Sequence, residues 1–172
     1  GYLSLVKGSW INSGLESHRE EALAALRTLD VELVDCGKLI QNEAEARDCL
    51  DLFKGIDCLI AHSLTFSLGA IIPMMARQLD VPVILWSEPE PPMQGGRIES
   101  NSFCAANMNA HSLWKMNRAP SFVYGTPQTA MDALKRQLDV HHCLKILRNT
   151  RIGCVGGRVP GFRRSAPWIA AR

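Results

Sequence analysis

Two continuous apolar runs joined by one helical segment constrain this chain more than any other feature. The runs are Asp57–Ala61 and Val81–Trp86, and the helical segment between them begins at Leu68–Gly69. Continuous apolar strands are typical of a parallel sheet that is covered on both faces. A strand, a helix and a second strand in this order predict a right-handed βαβ unit. The stretch therefore predicts an α/β fold built on a parallel sheet.

Polar side chains follow both of these strands. They are His62, Thr65, Ser67, Glu88 and Glu90. In open α/β sheets, ligands bind outside the carboxyl ends of the strands. We therefore expect the functional site to lie at this edge of the sheet.

The rest of the chain extends the same alternation of strands and helices. Further strands are predicted at Tyr2–Val6, Val31–Val34 and Ser121–Gly125, and further helices at about Leu15–Leu29, Asn42–Gly55, Asn101–Met116 and Pro127–Arg148. In the first helix we expect Leu23 and Leu26 to face the core and His18 and Arg19 to lie off that stripe. The order predicts a flavodoxin-like, doubly wound, five-stranded parallel sheet with helices on both faces.

The segment after the long last helix predicts a second domain. Arg151–Gly157 has the pattern of a new strand, but no helical pattern follows to cover it. We expect an N-terminal α/β domain over residues 1–149 and the truncated first strand of a second domain over residues 150–172. The chain is therefore expected to be a fragment.

Composition narrows the choice of partners and compartment. The net charge is +2 and only 21% of the residues are charged, so no basic surface for nucleic acid is expected. No apolar run approaches the roughly 20 residues of a membrane span. The six cysteines form no CxxC pair and mostly have apolar neighbours. This distribution predicts buried thiols in a reducing compartment, and so a cytoplasmic protein.

Common catalytic and nucleotide-binding motifs are not matched. The glycines from Gly153 to Gly161 follow a predicted strand, but their spacing departs from the GxGxxG turn that opens a helix. Ser63 and Ser67 lie outside any GxSxG turn, which argues against a serine nucleophile. The motifs therefore favour neither dinucleotide binding nor nucleophilic catalysis by a serine.

Two kinds of site remain open at the carboxyl edge. His62, Glu88 and Glu90 could hold a divalent metal ion, which takes imidazole and carboxylate ligands. We favour hydrogen bonding to a polyol, because carboxylates accept hydroxyl groups well. Trp10 could stack on the apolar face of a sugar ring or cover a contact between domains or subunits.

The order and spacing of several segments resemble the N-terminal domain of the L-fucose/L-arabinose isomerase family. The segments are Leu64–Gly69, Val81–Trp86 with its Glu-Pro loop, Gly96–Asn109, Val123–Gly125 and Arg151–Phe162. The resemblance covers about residues 1–162. It implies an aldose–ketose isomerisation through an enediol. A divalent metal, usually manganese, would hold two substrate oxygens while carboxylates move the proton.

The resemblance also implies where the reaction machinery lies. Members of the family are oligomers whose first domain covers the active site of a neighbouring subunit, and the metal ligands belong to later domains. The resemblance therefore implies that this chain carries no catalytic residue, binds no metal and is inactive alone. By position, Trp10, Thr65, Phe66, Glu88 and Asn101 are expected to contact the sugar. The alternatives are a non-catalytic sugar- or nucleotide-binding module and a purely structural assembly domain.

Overall fold

The computed structural model describes residues 1–96 and 98–152. The strands are β1 (Tyr2–Leu5), β2 (Leu59–Ser63), β3 (Val83–Ser87) and β4 (Ser121–Tyr124). The helices are α1 (Leu15–Leu26), α2 (Glu43–Asp48), α3 (Ile71–Leu79), α4 (Ser102–Lys115) and α5 (Pro127–Asn149). Single turns of 3₁₀ helix span Gly8–Trp10 and Gln94–Gly96. This order confirms the predicted α/β class.

The four strands form one sheet in the order β1-β2-β3-β4, and every pair within the described residues is parallel. The strands end level with one another. Leu5 lies opposite Ser63, Ser63 opposite Ser87, and Ser87 opposite Tyr124. The loops that follow the strands therefore emerge side by side along one edge, which we call the carboxyl edge.

Helices cover both faces of this sheet, as predicted. Leu3, Ala61 and Leu85 face one side, where they are buried in one cluster with residues of α2, α3 and α4. Alternate residues along the strands point the other way. Ile60 and Trp86 are therefore buried in a second cluster with residues of α1 and α5. Continuous burial of β2 and β3 follows from this double cover and explains their unbroken apolar sequence.

The predicted five-stranded, flavodoxin-like sheet is not confirmed. Residues 31–34 form no strand, and the chain beyond them is joined to β1 by isolated parallel bridges at Asp35 and Ile40 and by a hydrogen bond of 3.2 Å from the Ser4 hydroxyl to the Lys38 carbonyl. Between these bridges, Gly37 has a φ of 74°, which interrupts an extended run. Val31 is 39% exposed, whereas Leu33 and Val34 are partly buried against the two core clusters without forming a strand.

Two helices end earlier in the chain than the sequence predicts. The predicted helix from Asn42 to Gly55 is helical only as far as Asp48 and continues in turns. Its predicted cap is confirmed, because the Asn42 side chain accepts a hydrogen bond of 3.0 Å from the backbone N–H of Glu45. Helix α1 ends at Leu26, three residues before the predicted end.

The last helix begins as the sequence predicts. Thr126 and Thr129 form a reciprocal capping box, and Pro127 occupies the first turn. The division of the chain at residue 149 stays a prediction. Arg151 and Ile152 form no strand, and the rest of the strand predicted at Arg151–Gly157 lies outside the described residues.

Two predictions from composition can be compared with the described part of the chain. Among its helices, none combines the length and apolar character that crossing a membrane requires. All five cysteines in this part carry free thiols. Cys49 and Cys58 are buried as expected, whereas Cys104 and Cys143 are exposed.

Candidate functional site at the carboxyl edge

Backbone hydrogen bonds bring the loops after the first three strands together. The N–H groups of Leu64 and Thr65, beyond β2, both donate to the Leu5 carbonyl at the end of β1, at 3.0 and 3.3 Å. The N–H of Phe66 donates at 2.7 Å to the carbonyl of Ser100, which lies just before α4. The residues after β1, after β2 and before α4 therefore form one connected rim.

Glu88 is the centre of the polar part of this rim. It follows β3 and is 8% exposed. The Nε2 atoms of His62 and His18 lie 2.7 and 2.8 Å from the same carboxylate oxygen, Oε1. An ionised carboxylate only accepts hydrogen bonds, so both imidazoles donate to it. Among the described residues, no group donates to the other oxygen, Oε2.

The pKa values of the two histidines shift in opposite directions because the two side chains differ in burial. Burial raises the pKa of Glu88, but the hydrogen bonds from His18 and His62 outweigh burial and hold that pKa at about 2. The hydrogen bond to Glu88 raises the pKa of the partly exposed His18. Burial lowers the pKa of His62 in spite of the same carboxylate. At neutral pH, Glu88 is therefore an anion and His62 is neutral.

His62 is held in place on three sides. A neutral imidazole that donates from Nε2 must accept at Nδ1, and the Tyr2 hydroxyl lies 2.9 Å from that atom. The ring stacks on Trp86 with centroids 3.6 Å apart and an angle of 7° between planes. The Trp86 indole N–H donates at 2.8 Å to the Gly125 carbonyl beyond β4. The histidine thus positions Glu88 and has no hydrogen-bonding atom left for a ligand.

The loop between β3 and α4 is fixed by its own polar groups. Glu90 accepts hydrogen bonds of 2.5, 2.9 and 2.7 Å from the backbone N–H groups of Glu99, Ser100 and Asn101. The Ser102 hydroxyl donates to the Ser63 carbonyl and accepts at 3.0 Å from the N–H of Glu88. Ser102 therefore joins the ends of β2 and β3 directly.

The aromatic part of the rim lies next to β1. The rings of Trp10 and Phe66 are tilted against each other with centroids 6.4 Å apart. Thr65 is buried, and its hydroxyl accepts a hydrogen bond of 2.9 Å from the N–H of Lys7. The Lys7 ammonium lies 5.4 Å from the centre of Trp10 and 5.5 Å from that of Phe66. This arrangement combines two apolar ring faces with a cation.

All five residues expected to contact a sugar lie along the carboxyl edge. Trp10, Thr65 and Phe66 come together in the aromatic part, and Glu88 forms the polar part. Asn101 lies at the start of α4 with a φ of 53°, and its N–H donates to Glu90. Their contact with a substrate stays a prediction.

Sequence reasoning missed His18, Arg19 and Tyr2. His18 lies four residues before Ala22 and eight before Leu26, so it shares their side of α1 and reaches Glu88. The expectation that Arg19 lies off the buried face was wrong. Arg19 is 4% exposed and pairs with Asp35 and Glu20, which is why its charge is tolerated there. The helical spacing was a usable signal for His18, but nothing local marked Tyr2.

The metal alternative does not fit the side chains at this edge. The ring nitrogens of His62 contact Tyr2 and Glu88, and Glu90 is turned to backbone N–H groups instead. Across residues 1–96 and 98–152, no group of three or more His, Cys, Asp and Glu side chains is placed to hold a metal ion.

A cavity of about 660 Å³ lies at the other edge of the sheet, by the amino ends of the strands. It is lined by Gly1, Val31, Asp57, Leu138 and His141, among others. None of the residues that follow the strands faces it. We therefore assign the candidate site from the side chains at the carboxyl edge, not from this cavity.

Comparison with known proteins identifies the family of the chain. The profile described as "Fucose/sulfoquinovose isomerase, N-terminal domain" matches residues 2–151. The chain belongs to this family. The fucose-isomerase-like resemblance drawn from the sequence is thereby confirmed.

The curated proteins that this chain resembles are sulfoquinovose isomerases. The chain is 31% identical over 155 residues to a sulfoquinovose isomerase of Priestia aryabhattai, an alignment that covers 88% of this chain and 34% of that protein. It is 33% identical over 108 residues to the sulfoquinovose isomerase of Alkalicoccus urumqiensis, covering 62% of this chain and 24% of that protein. The chain thus spans about a third of the length of the curated relatives it matches.

Proposed function

We propose that this chain is the N-terminal domain of an aldose–ketose isomerase of carbohydrate metabolism and that its carboxyl edge forms one wall of the sugar cleft. The observation that carries the proposal is the rim of Trp10, Thr65, Phe66 and Glu88 on a sheet that belongs to the fucose/sulfoquinovose isomerase family. An aromatic face covers the C–H groups of a sugar ring, and a fixed carboxylate accepts its hydroxyls. In this proposal a sugar hydroxyl donates to Glu88 Oε2, the carboxylate oxygen to which no described group donates.

The same proposal places the chemistry elsewhere in the protein. Family resemblance implies a divalent metal, usually manganese, and the side chains at the carboxyl edge do not fit one, as described above. A metal would polarise the substrate carbonyl and stabilise the enediol, so a chain without it lacks the electrophile of the reaction. We therefore assign the metal ligands to the two-thirds of the relatives' length that the chain does not cover.

Location and assembly follow from the same proposal. We place the protein in the cytoplasm, because reducing compartments keep thiols such as the five described ones free. We also propose a homo-oligomer in which this domain meets a neighbouring subunit. Phe103, Phe122 and Tyr124 form an exposed aromatic cluster beside the edge strand β4, which supports the presence of further protein contacts.

The experiment that tests the function uses a chimera. Residues 1–151 replace the matching N-terminal third of the Priestia aryabhattai enzyme, and turnover of sulfoquinovose is measured with the unaltered enzyme as the positive control. We expect a folded chimera with turnover, and a higher KM when Trp10→Ala is introduced. A chimera that assembles like the parent but shows no turnover would contradict the proposal.

Two measurements on the chain alone complete the test. With manganese added, the purified chain should not isomerise sulfoquinovose or fucose, and measurable turnover would refute the assignment of the metal ligands to other domains. A thermal-shift comparison of sugars with FMN addresses the alternative binding module. Strong stabilisation by FMN, with none by sugars, would favour that alternative.

A further inference from the structure

Lys7 differs from most lysines of this chain in what surrounds its ammonium group. Four others each lie within 4.0 Å of a carboxylate, namely Lys38, Lys54, Lys135 and Lys145. Within the described residues, Lys7 has no carboxylate at that distance. Its ammonium lies over Trp10 and Phe66 instead, at the edge where the sugar is proposed to bind. A half-buried cation beside a binding rim is expected to attract an anion.

The backbone holds Lys7 in a defined place. Its N–H donates to the Thr65 hydroxyl at 2.9 Å, and its carbonyl accepts from the N–H of Trp10 at 2.8 Å. The preceding residue, Val6, donates to the Ile40 carbonyl at 3.0 Å. These bonds tie the residue to both neighbouring segments of the sheet. The side chain therefore leaves the backbone from a fixed point, which reduces the entropy lost when it binds a ligand.

The chemistry of this arrangement suits a sugar that carries an anion. An ammonium has three N–H donors. The aromatic rings attract its positive charge but offer its N–H groups no oxygen or nitrogen acceptor. Lys7 is also partly buried, and partial burial strengthens a charge pair formed there. A neutral aldose offers this cation only hydroxyl oxygens, which accept a hydrogen bond but carry no charge. A sulfonate has three oxygens that share one negative charge.

We propose that the Lys7 ammonium binds the sulfonate group of a sulfonated aldose while Trp10 covers the apolar face of the sugar ring; this inference rests on the proposed function. Lys7 is then the residue of this domain that selects a sulfonated sugar over a neutral one. Selection arises because a neutral sugar can offer the cation only an uncharged hydroxyl acceptor, whereas the sulfonated sugar forms a stronger, charge-assisted hydrogen bond.

The test compares two sugars that differ only in the sulfonate. The full ¹⁵N-labelled chain is titrated with sulfoquinovose and with quinovose, and the signals of the Lys7 amide and the Trp10 indole are followed by NMR. The variants are Lys7→Gln, Lys7→Arg and the matched control Lys115→Gln. Lys115 ends α4 at the opposite edge of the sheet and also has no described carboxylate partner within 4.0 Å.

We expect Lys7→Gln to weaken the binding of sulfoquinovose by about tenfold or more, which is the ratio for one hydrogen bond to a charged group. Quinovose binding should not change, Lys7→Arg should keep most of the affinity, and Lys115→Gln should match the wild type. The inference is overturned if Lys7→Gln binds both sugars like the wild type. It is equally overturned if sulfoquinovose moves neither signal up to its solubility limit.

The chimera separates this inference from the proposed function. In the chimera, Lys7→Gln should raise the KM for sulfoquinovose and leave kcat unchanged, because the interaction is the same in substrate and transition state. A chimera that turns over equally well with and without Lys7 would refute only the sulfonate contact. A chimera that is inactive with Lys7 intact would refute the proposed function.

Discussion

Replacing Glu88 with glutamine removes the charge on which two histidines converge and keeps the shape of the side chain. The fall in the pKa of Glu88 from 4.5 to about 2 corresponds to about 3 kcal/mol, at about 1.4 kcal/mol for each tenfold change in proton affinity. The side chain is 9% exposed, so solvent screens this interaction little. We expect Glu88→Gln to lower the free energy of unfolding by about 3 kcal/mol at pH 7.

The pH dependence of this loss is a stricter test than its size. The pKa of Glu88 is lower in the folded chain than in the unfolded one, so the carboxylate contributes its full stabilisation above pH 4.5. That contribution is lost as the pH falls from 4.5 through about 2. Glutamine does not titrate. The difference between wild type and variant should therefore be constant between pH 4.5 and pH 6.5, where His18 is still protonated, and should shrink below pH 4.5.

The assay is urea unfolding of both proteins between pH 7 and pH 3, followed by circular dichroism. Glu21→Gln is the matched control, since Glu21 lies 3.6 Å from the other ring nitrogen of His18 but is 56% exposed. That variant should stay within about 0.5 kcal/mol of the wild type. A loss of similar size in both variants would refute the reasoning. So would a Glu88→Gln loss that does not shrink below pH 4.5.

Three further predictions address the neighbours of Glu88. In NMR, the chemical shifts of the His18 ring protons should report a pKa above 6.5, because the hydrogen bond to Glu88 raises the pKa of His18. The stability that the His18–Glu88 contact contributes is complete below pH 6.5 and is lost as the pH rises through the folded pKa of His18. Trp86→Phe should cost about 1–3 kcal/mol in urea unfolding, because it leaves the Gly125 carbonyl without its donor. Gly125→Ala should cost a similar amount, about 1–3 kcal/mol, since the residue has a φ of 151° and a Cβ would lie 2.7 Å from the Thr129 hydroxyl.

The fold class could be predicted because its signals are local. Unbroken apolar runs at β2 and β3 predict strands buried on both faces, and both faces are covered. The cap of α2 at Asn42 and the start of α5 after Thr126 follow from side chains within three residues of each helix end. The parallel order of the strands is the reason that the candidate site is expected at the carboxyl edge.

The strand expected at Val31–Val34 shows the limit of local patterns. Alternating apolar and polar residues give the right period, but an edge position offers a partner on one side only. Gly37 breaks the extended run, and only the bridges at Asp35 and Ile40 form. Pairing with a neighbouring strand decides whether such a segment becomes a strand, and the period alone does not contain that information.

The sequence by itself determined that this chain builds a parallel α/β layer with a polar and aromatic rim at the ends of its strands, because burial on both faces imposes a periodicity that a single segment displays. Only the tertiary structure decided which members of that rim meet. His18 and Glu88 are 70 residues apart, and Tyr2 and His62 are 60 apart, so their contacts depend on how α1 and β1 lie against the sheet. A hydrogen bond needs its atoms within about 3 Å. Such a distance is set by the packing of whole elements, to which residues far apart in the chain contribute together.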